Sequence, residues 1–212
     1  MALDDGSLKD GSPKTSRREL NKRATRMAII DAAVELLRAR GLGNFTAEDV
    51  AEAAGISRRT FFNYFSSPEA ALSATLENFL EGVIAEFAHR PANESLLDSA
   101  IASVESFVEP TALARMAEVC HLTQTQDEVQ RWQLAAWEQA TQSVTAAAEQ
   151  RLGPDANPLF LRALVASIIA SGRVAVELWL EGQAQSEIDD QASEKLRALI
   201  TAALHHVRTG FA

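Results

Sequence analysis

FTAEDVAEAAGISRRTFFNYF, residues 45–65, reads as two short helical segments and the turn between them. Thr46, with Asp49 three residues on, is a near-capping box that satisfies free backbone N–H groups at the start of the first segment. Gly55 and Ile56 then join it to a second segment through a turn of about three residues, the spacing of a helix-turn-helix unit. Ser57 is the cap of that second segment, which the pattern predicts over residues 57–65. Four of the chain's thirteen aromatic residues (Phe 9, Trp 3 and Tyr 1) and two adjacent arginines fall within residues 56–65. A helix of about nine residues is roughly 13 Å long and does not persist alone in water, so packing must hold it. At 100° per residue, Phe61 and Phe65 share one face with Phe62 at its margin, and Arg59, Thr60, Asn63 and Tyr64 occupy the opposite arc.

The outward set has the chemistry of a DNA reader. Arg58 and Arg59 can fork onto guanine O6 and N7, Asn63 can pair with adenine, and Ser57, Thr60 and Tyr64 can donate to phosphate. Thr46 offers a hydroxyl and free N–H groups to another phosphate, while Lys22, Arg23 and Arg26 extend the contact along the backbone. The alternative for such a cluster is ordinary core with a solvated basic face. That alternative accounts for the phenylalanines, but it leaves unexplained why so short a segment is capped, follows a turn and is basic inside an acidic protein.

The net charge of −9 hides an asymmetry. From Lys14 to Pro68 there are 10 basic and 6 acidic residues, a balance of +4; from Glu69 to Ala212 there are 9 and 20, or −11. Only the first third can meet a polyanion. With 212 residues and 47% hydrophobic content the chain can bury a large core. The N-terminal stretch lacks the apolar segment of a secretory signal, and no apolar run reads as crossing a bilayer, so a cytoplasmic protein without a membrane partner is expected. The single cysteine, Cys120, has no partner for a disulfide or a thiolate metal site and reads as a small buried hydrophobe.

The whole chain reads as all-α. Residues 1–20 have the composition of a disordered arm with a basic end. Residues 21–68 form a helix-turn-helix domain, entered by a helix in which Met27, Ile30, Val34 and Leu37 recur at three- and four-residue spacing up to the stop at Gly41. Residues 69–212 form a larger helical domain for regulation and dimerisation. It opens at Ser67 as cap, Pro68 at the first helical position and Glu69 against the positive helix end. Further helices are predicted over 94–108, 111–122, 126–152, 158–181 and 187–208, separated by proline and glycine breaks.

The order of helix, FTAEDVAEAAGISRRTFFNYF and then SSPEAAL resembles the N-terminal domain of the tetracycline-repressor (TetR) family over about residues 22–75. Phe45, Thr46, Val50, Ala51, Ala54, Gly55, Ser57, Thr60, Phe61, Phe62, Tyr64, Phe65, Ser67, Glu69 and Leu72 match its pattern. The match departs at Pro68, where the family places a lysine that touches phosphate, and at Phe62, often tyrosine there, whose ring can still pack against sugar or a thymine methyl. The resemblance implies a homodimeric transcriptional regulator, typically a repressor, released from a palindromic double-stranded operator by a small-molecule effector, with no cofactor. RTFFNYF together with ELWLEG also resembles a branch of actinobacterial regulators, some of which answer acyl-CoA thioesters.

Two features of the larger domain fit those roles. Residues 157–182 are apolar and studded with Ala163, Ala166, Ala170, Ser171 and Ala175, which permit close helix approach. With Leu196, Ile200 and Leu204 of the last helix they are expected to form a four-helix dimer seam, rather than lie wholly within one subunit's core, because one helix-turn-helix reads only a half-site and two are needed about 34–36 Å apart. Phe79, Val83, Phe87, Phe107, Met116, Trp132 and Trp137 are candidates for an apolar effector pocket, against the plainer reading that they are core. An activator or a regulator without ligand is the alternative within the DNA-binding class. A helical enzyme or interaction protein is more remote. Cys120–His121 and His205–His206 are adjacent pairs, whose side chains point about 100° apart on a helix and do not share a ligand. No HExxH or paired-carboxylate motif appears.

Overall fold

The computed structural model describes residues 17–107, 110–123, 127–182 and 190–211, and nine helices lie among them with no strand. They are α1 (Arg17–Arg40), α2 (Ala47–Ala53), α3 (Arg58–Phe62), α4 (Pro68–Ala88), α5 (Leu96–Ser106), α6 (Pro110–Thr123), α7 (Asp127–Leu152), α8 (Pro158–Glu181) and α9 (Asp190–Thr209). The predicted all-α class and the helix order hold. Two bounds differ. α1 starts at Arg17, so the last residues assigned to the arm are helical: Arg17, Arg18, Glu19 and Leu20 are all straight-chain or γ-branched helix formers, although they lack an apolar rhythm. α3 is five residues long rather than nine, because Asn63 caps it and the chain turns on through Tyr64 and Phe65.

The first core, the head, joins α1, α2, α3 and the front of α4. Ile29, Ile30, Ala33, Val34 and Leu37 of α1 meet Val50, Ala51, Phe61, Phe65, Ala71 and Leu72. The second core, the body, gathers Leu76 and Phe79 of α4 with residues of α5 to α9. α4 therefore belongs to both. A smaller apolar cluster of Leu96, Ala148, Leu161 and Val165 closes the far end of the body. Beside it, the Arg151 guanidinium donates to the carbonyls of Phe87, Arg90 and Pro91, at and just beyond the end of α4, and stacks 4.8 Å over the Phe87 ring. Gly82 of α4 is a notch for the next element: a Cβ there would lie 2.0 Å from the Phe107 ring, which packs edge-on against Phe79 at 5.7 Å.

Head and body are also joined by ions. Arg38 of α1 donates from Nε and Nη2 to both carboxylate oxygens of Glu118 on α6, at 2.6 and 2.7 Å. Arg115 of α6 reaches back to Asp31 of α1 at 2.7 Å.

α8 corrects two expectations. By length and composition it is apolar enough to span a bilayer, contrary to the sequence reading. One face lies in the protein's own core: Leu161, Val165, Ala175, Val176 and Trp179 are buried, and the Trp179 indole N–H donates to the Ala192 carbonyl at 2.9 Å. Ala175 of the expected seam is thus interior, as are Leu196, Ile200 and Leu204 of α9. These residues fill the body of their own subunit. What α8 leaves exposed is a second apolar face carrying Phe160, Ala163, Ala166, Ala170, Val174 and Leu178, with Ser171 at its edge.

Candidate nucleic-acid interface and effector cavity

The reading head is assembled by local signals. Thr46 Oγ1 accepts from the Asp49 N–H at 3.2 Å, and the Asp49 carboxylate accepts from the Thr46 N–H at 2.8 Å and its hydroxyl at 2.6 Å, a complete capping box. α2 then ends in a Schellman turn: Ile56 N–H donates to the Ala51 carbonyl at 2.9 Å and Gly55 N–H to that of Glu52 at 3.0 Å. Gly55 holds φ at +67°, a left-handed conformation that side chains with a Cβ resist. The chain leaves this turn at Ser57, whose hydroxyl accepts from the Thr60 N–H at 3.0 Å and caps α3.

Packing fixes the orientation of α3. Phe61 is wholly buried and Phe65 nearly so, with Phe61 lying edge-on to Phe62 at 5.3 Å. Phe62, expected at the margin of that face, is exposed. On the outer side Arg59 and Asn63, one helical turn apart, are exposed, and no partner for the Arg59 guanidinium lies among the described residues. Arg58 is also exposed, but its guanidinium pairs with Glu48 of α2 and lies 5.1 Å over the Phe62 ring. Ser57 and Thr60 share a hydroxyl hydrogen bond of 2.8 Å beside the cap. Tyr64 is half-buried against the head core. Lys22 and Arg23 are exposed along α1.

Arg26 does not join them. Its guanidinium donates to Glu77 and Asn78 of α4, each at 2.7 Å, and lies 5.3 Å from the Phe65 ring centroid. The sequence grouped it with Lys22 and Arg23 by charge; one turn further along the helix, it faces α4 and serves as an internal brace.

The capping box is sensitive to acid. The Thr46 hydroxyl, and then the Arg40 guanidinium at 2.8 Å, hold the Asp49 carboxyl below the usual carboxylate range. A depressed folded value means stability that is fully present above the unfolded value, about 3.9, and is lost as pH falls through the folded one. The melting temperature of Asp49→Asn should therefore lie below that of the parent at pH 7 and approach it below about pH 3.5. Melts across that range check this; a gap that stays constant down to low pH contradicts it.

The body holds a cavity of about 100 Å³ bounded by α4, α5, α6, α7, α8 and α9. Phe79, Val83, Phe87, Met116 and Trp137 line it, as do Leu76, Leu80, Ile84 and Val176, and every lining residue described is apolar or glycine. Phe107 stands behind Phe79 and does not reach the wall; the Trp132 side chain lies outside the described residues. Sequence reasoning missed Leu76, Leu80 and Ile84, although their spacing along α4 with Phe79, Val83 and Phe87 is a legible apolar stripe. Leu76, Met116 and Trp137 also wall a second chamber, bounded by Leu42 and Leu72 of the head and by Cys120. Burial pushes the Cys120 thiol up to about 12, so it stays protonated and behaves as an apolar wall atom.

A capped, braced helix-turn-helix on an all-α body with an apolar cavity is the arrangement of a DNA-binding transcription regulator, and comparison with known proteins identifies the family of its N-terminal domain. Residues 29–75 match the family described as "Bacterial regulatory proteins, tetR family". MftR of Mycobacterium tuberculosis is 24% identical over 177 residues, 82% of this chain and 89% of that one. The HTH-type transcriptional repressor KstR2 of Rhodococcus jostii is 32% identical over 108 residues, 51% of this chain and 52% of that one. A solved TetR-family chain from Syntrophomonas wolfei shares the fold, with a TM-score of 0.59 at 14% identity over 90% of this chain and 98% of its own. Residues 29–75 thus carry the N-terminal domain of the TetR family, and over most of its length the chain is similar to transcriptional regulators.

Proposed function

We propose that this protein is a homodimeric repressor acting in the cytoplasm, which binds a palindromic operator through α3 and releases it when a small lipophilic effector occupies the body cavity. The observation that carries this reading is the outer face of α3: Arg59 and Asn63 stand exposed on a helix whose opposite face is locked by Phe61 and Phe65. Arg58, held by Glu48, is available to DNA once phosphate or a base edge competes for it. Ser57, Thr60 and Thr46 satisfy their own helix ends, so their part is to fix the backbone that approaches the phosphates. Lys22 and Arg23 add exposed charge along the approach, without Arg26.

Two copies are required, since one head reads one half-site. The exposed apolar face of α8 supports that assembly: Phe160, Val174 and Leu178 with Ala163, Ala166 and Ala170 let a second copy of the helix come close. Release is coupled to the cavity through shared walls. Leu76, Met116 and Trp137 face both the effector cavity and the chamber that reaches Leu42 and Leu72 of the head. α6, which carries Met116, is also tied to α1 by Arg38–Glu118 and Arg115–Asp31. An effector that fits only one arrangement of these walls shifts the population toward it.

Selection of bound duplexes from a random pool tests the reading: a palindrome should be enriched at moderate salt, and no enrichment would remove it. On the selected site Arg59→Ala should weaken specific binding by about 1–3 kcal/mol, with the melting temperature unchanged. Equal binding by variant and parent takes Arg59 out of the interface.

A further inference from the structure

The geometry points to an effector that is a compact lipophile with an uncharged or cationic polar end, and not to a fatty acid or an acyl-CoA; this rests on the effector cavity proposed above. The cavity has neighbours on two sides, and their charges are what a polar end would meet. On one side, Leu80 and Ile84 separate it from a groove of about 140 Å³ between α4 and α7. The groove is floored by Ala136 and Ala140 and rimmed by Glu77, Glu81, Gln139 and Ser143. On the other, the chamber beyond Leu76, Met116 and Trp137 carries Glu69 with Ser73, Thr75 and Thr123. Among the described residues that bound these three spaces, the charged side chains are Glu69, Glu77 and Glu81, all from α4.

These carboxylates are not equivalent. Glu77 is already paired with Arg26 at 2.7 Å. Glu81, one turn on, is exposed and has no ion-pair partner among the described residues; Arg23 and Arg115, the latter paired with Asp31, border a neighbouring space with it, outside the groove. At the far end of the cavity Arg151 stacks on the lining ring Phe87 and gives its donors to the carbonyls of Phe87 and Pro91 and to Ser99. An alkyl or ring body can therefore fill the cavity by displacing Leu80 and Ile84, leaving its polar end in the α4–α7 groove. There a hydroxyl, ketone or ether finds the Gln139 amide and the Ser143 hydroxyl, and a protonated amine gains the Glu81 carboxylate as well. A carboxylate or phosphate end would instead lie beside Glu81, where like charges repel.

The test holds the apolar body fixed and changes only the end. Isothermal titration of the full chain at pH 7 with 1-octanol, octylamine, sodium octanoate and octanoyl-CoA should give binding by the alcohol and the amine. Octanoate should bind at least about tenfold more weakly than the alcohol, and octanoyl-CoA should show no saturable heat. Glu81→Gln, a change on an exposed position, should narrow the amine-over-acid preference by about three- to tenfold and leave octanol unchanged. Octanoate or octanoyl-CoA binding as tightly as octanol overturns the assigned end and leaves the cavity standing, as does an unaltered preference in Glu81→Gln. Failure of all four probes to bind removes the cavity itself, and leaves the operator selection as the separate test of DNA binding.

Discussion

Phe61→Ala should lower the stability of the protein by about 3–5 kcal/mol, the largest loss expected of any single truncation in the head. The side chain is 0% exposed and sits where α1, α2, α3 and α4 converge, in edge contact with Phe62 and tilted against Phe65 at 6.2 Å. A five-residue helix has too few internal hydrogen bonds to close the resulting void by holding its shape. DNA binding should therefore fall together with the melting temperature, whereas Arg59→Ala separates the two. Thermal and urea melts of the variant check the magnitude; an unchanged melting temperature would mean that Phe61 does not carry the weight its burial implies.

Val174→Asp should convert the protein to a monomer and cut operator affinity by about 10²–10⁴-fold, because linked binding to the second half-site is lost. Val174 is 55% exposed, as is Leu178 one turn further, so the substitution costs little inside one subunit. Placed at a twofold contact, two carboxylates would meet on an apolar face without partners. Sedimentation analysis gives the oligomeric state and a gel shift on the selected palindrome gives the affinity. A dimer with parental affinity would place the twofold contact elsewhere. Octanol binding should survive, since Val174 points away from the cavity wall formed by Val176 and Gly172.

Local chemistry explains how much of this could be read from sequence. Thr46 with Asp49, Gly55, Ser57, and Ser67 with Pro68 each satisfy a helix end by themselves, so the starts of α2, α3 and α4 and the stop of α2 were legible residue by residue. The length of α3 was not, because Phe65 falls four residues after Phe61 and helical spacing there is indistinguishable from a tight turn that buries the same ring. The start of α1 escaped for the opposite reason: Arg17 to Leu20 fold on propensity, with no apolar rhythm to announce it. Periodicity also cannot say which of two apolar faces turns inward. Leu196, Ile200 and Leu204 follow the same rhythm as an interface stripe, yet they fill the body of their own subunit, and a mixed face of α8 with Phe160, Val174 and Leu178 stays outside. Likewise the charge of Arg26 was plain, but its partners Glu77 and Asn78 lie about fifty positions away, at separations of 51 and 52. The cavity was half visible, through its aromatic and methionine members; its acidic surroundings emerged only when α4 and α7 were brought side by side.

α4, with 21 residues and a foot in each core, has a consequence that is one of scale. A straight helix of that length is about 31 Å long, so a tilt of about 2° at one end displaces the other by roughly 1 Å. An ångström is the tolerance of a hydrogen bond. The precision with which a base is recognised is therefore set in part by carbon atoms that never approach the nucleic acid: one methyl group more or less at Leu76 or Phe79 is an angular error, magnified along the rod.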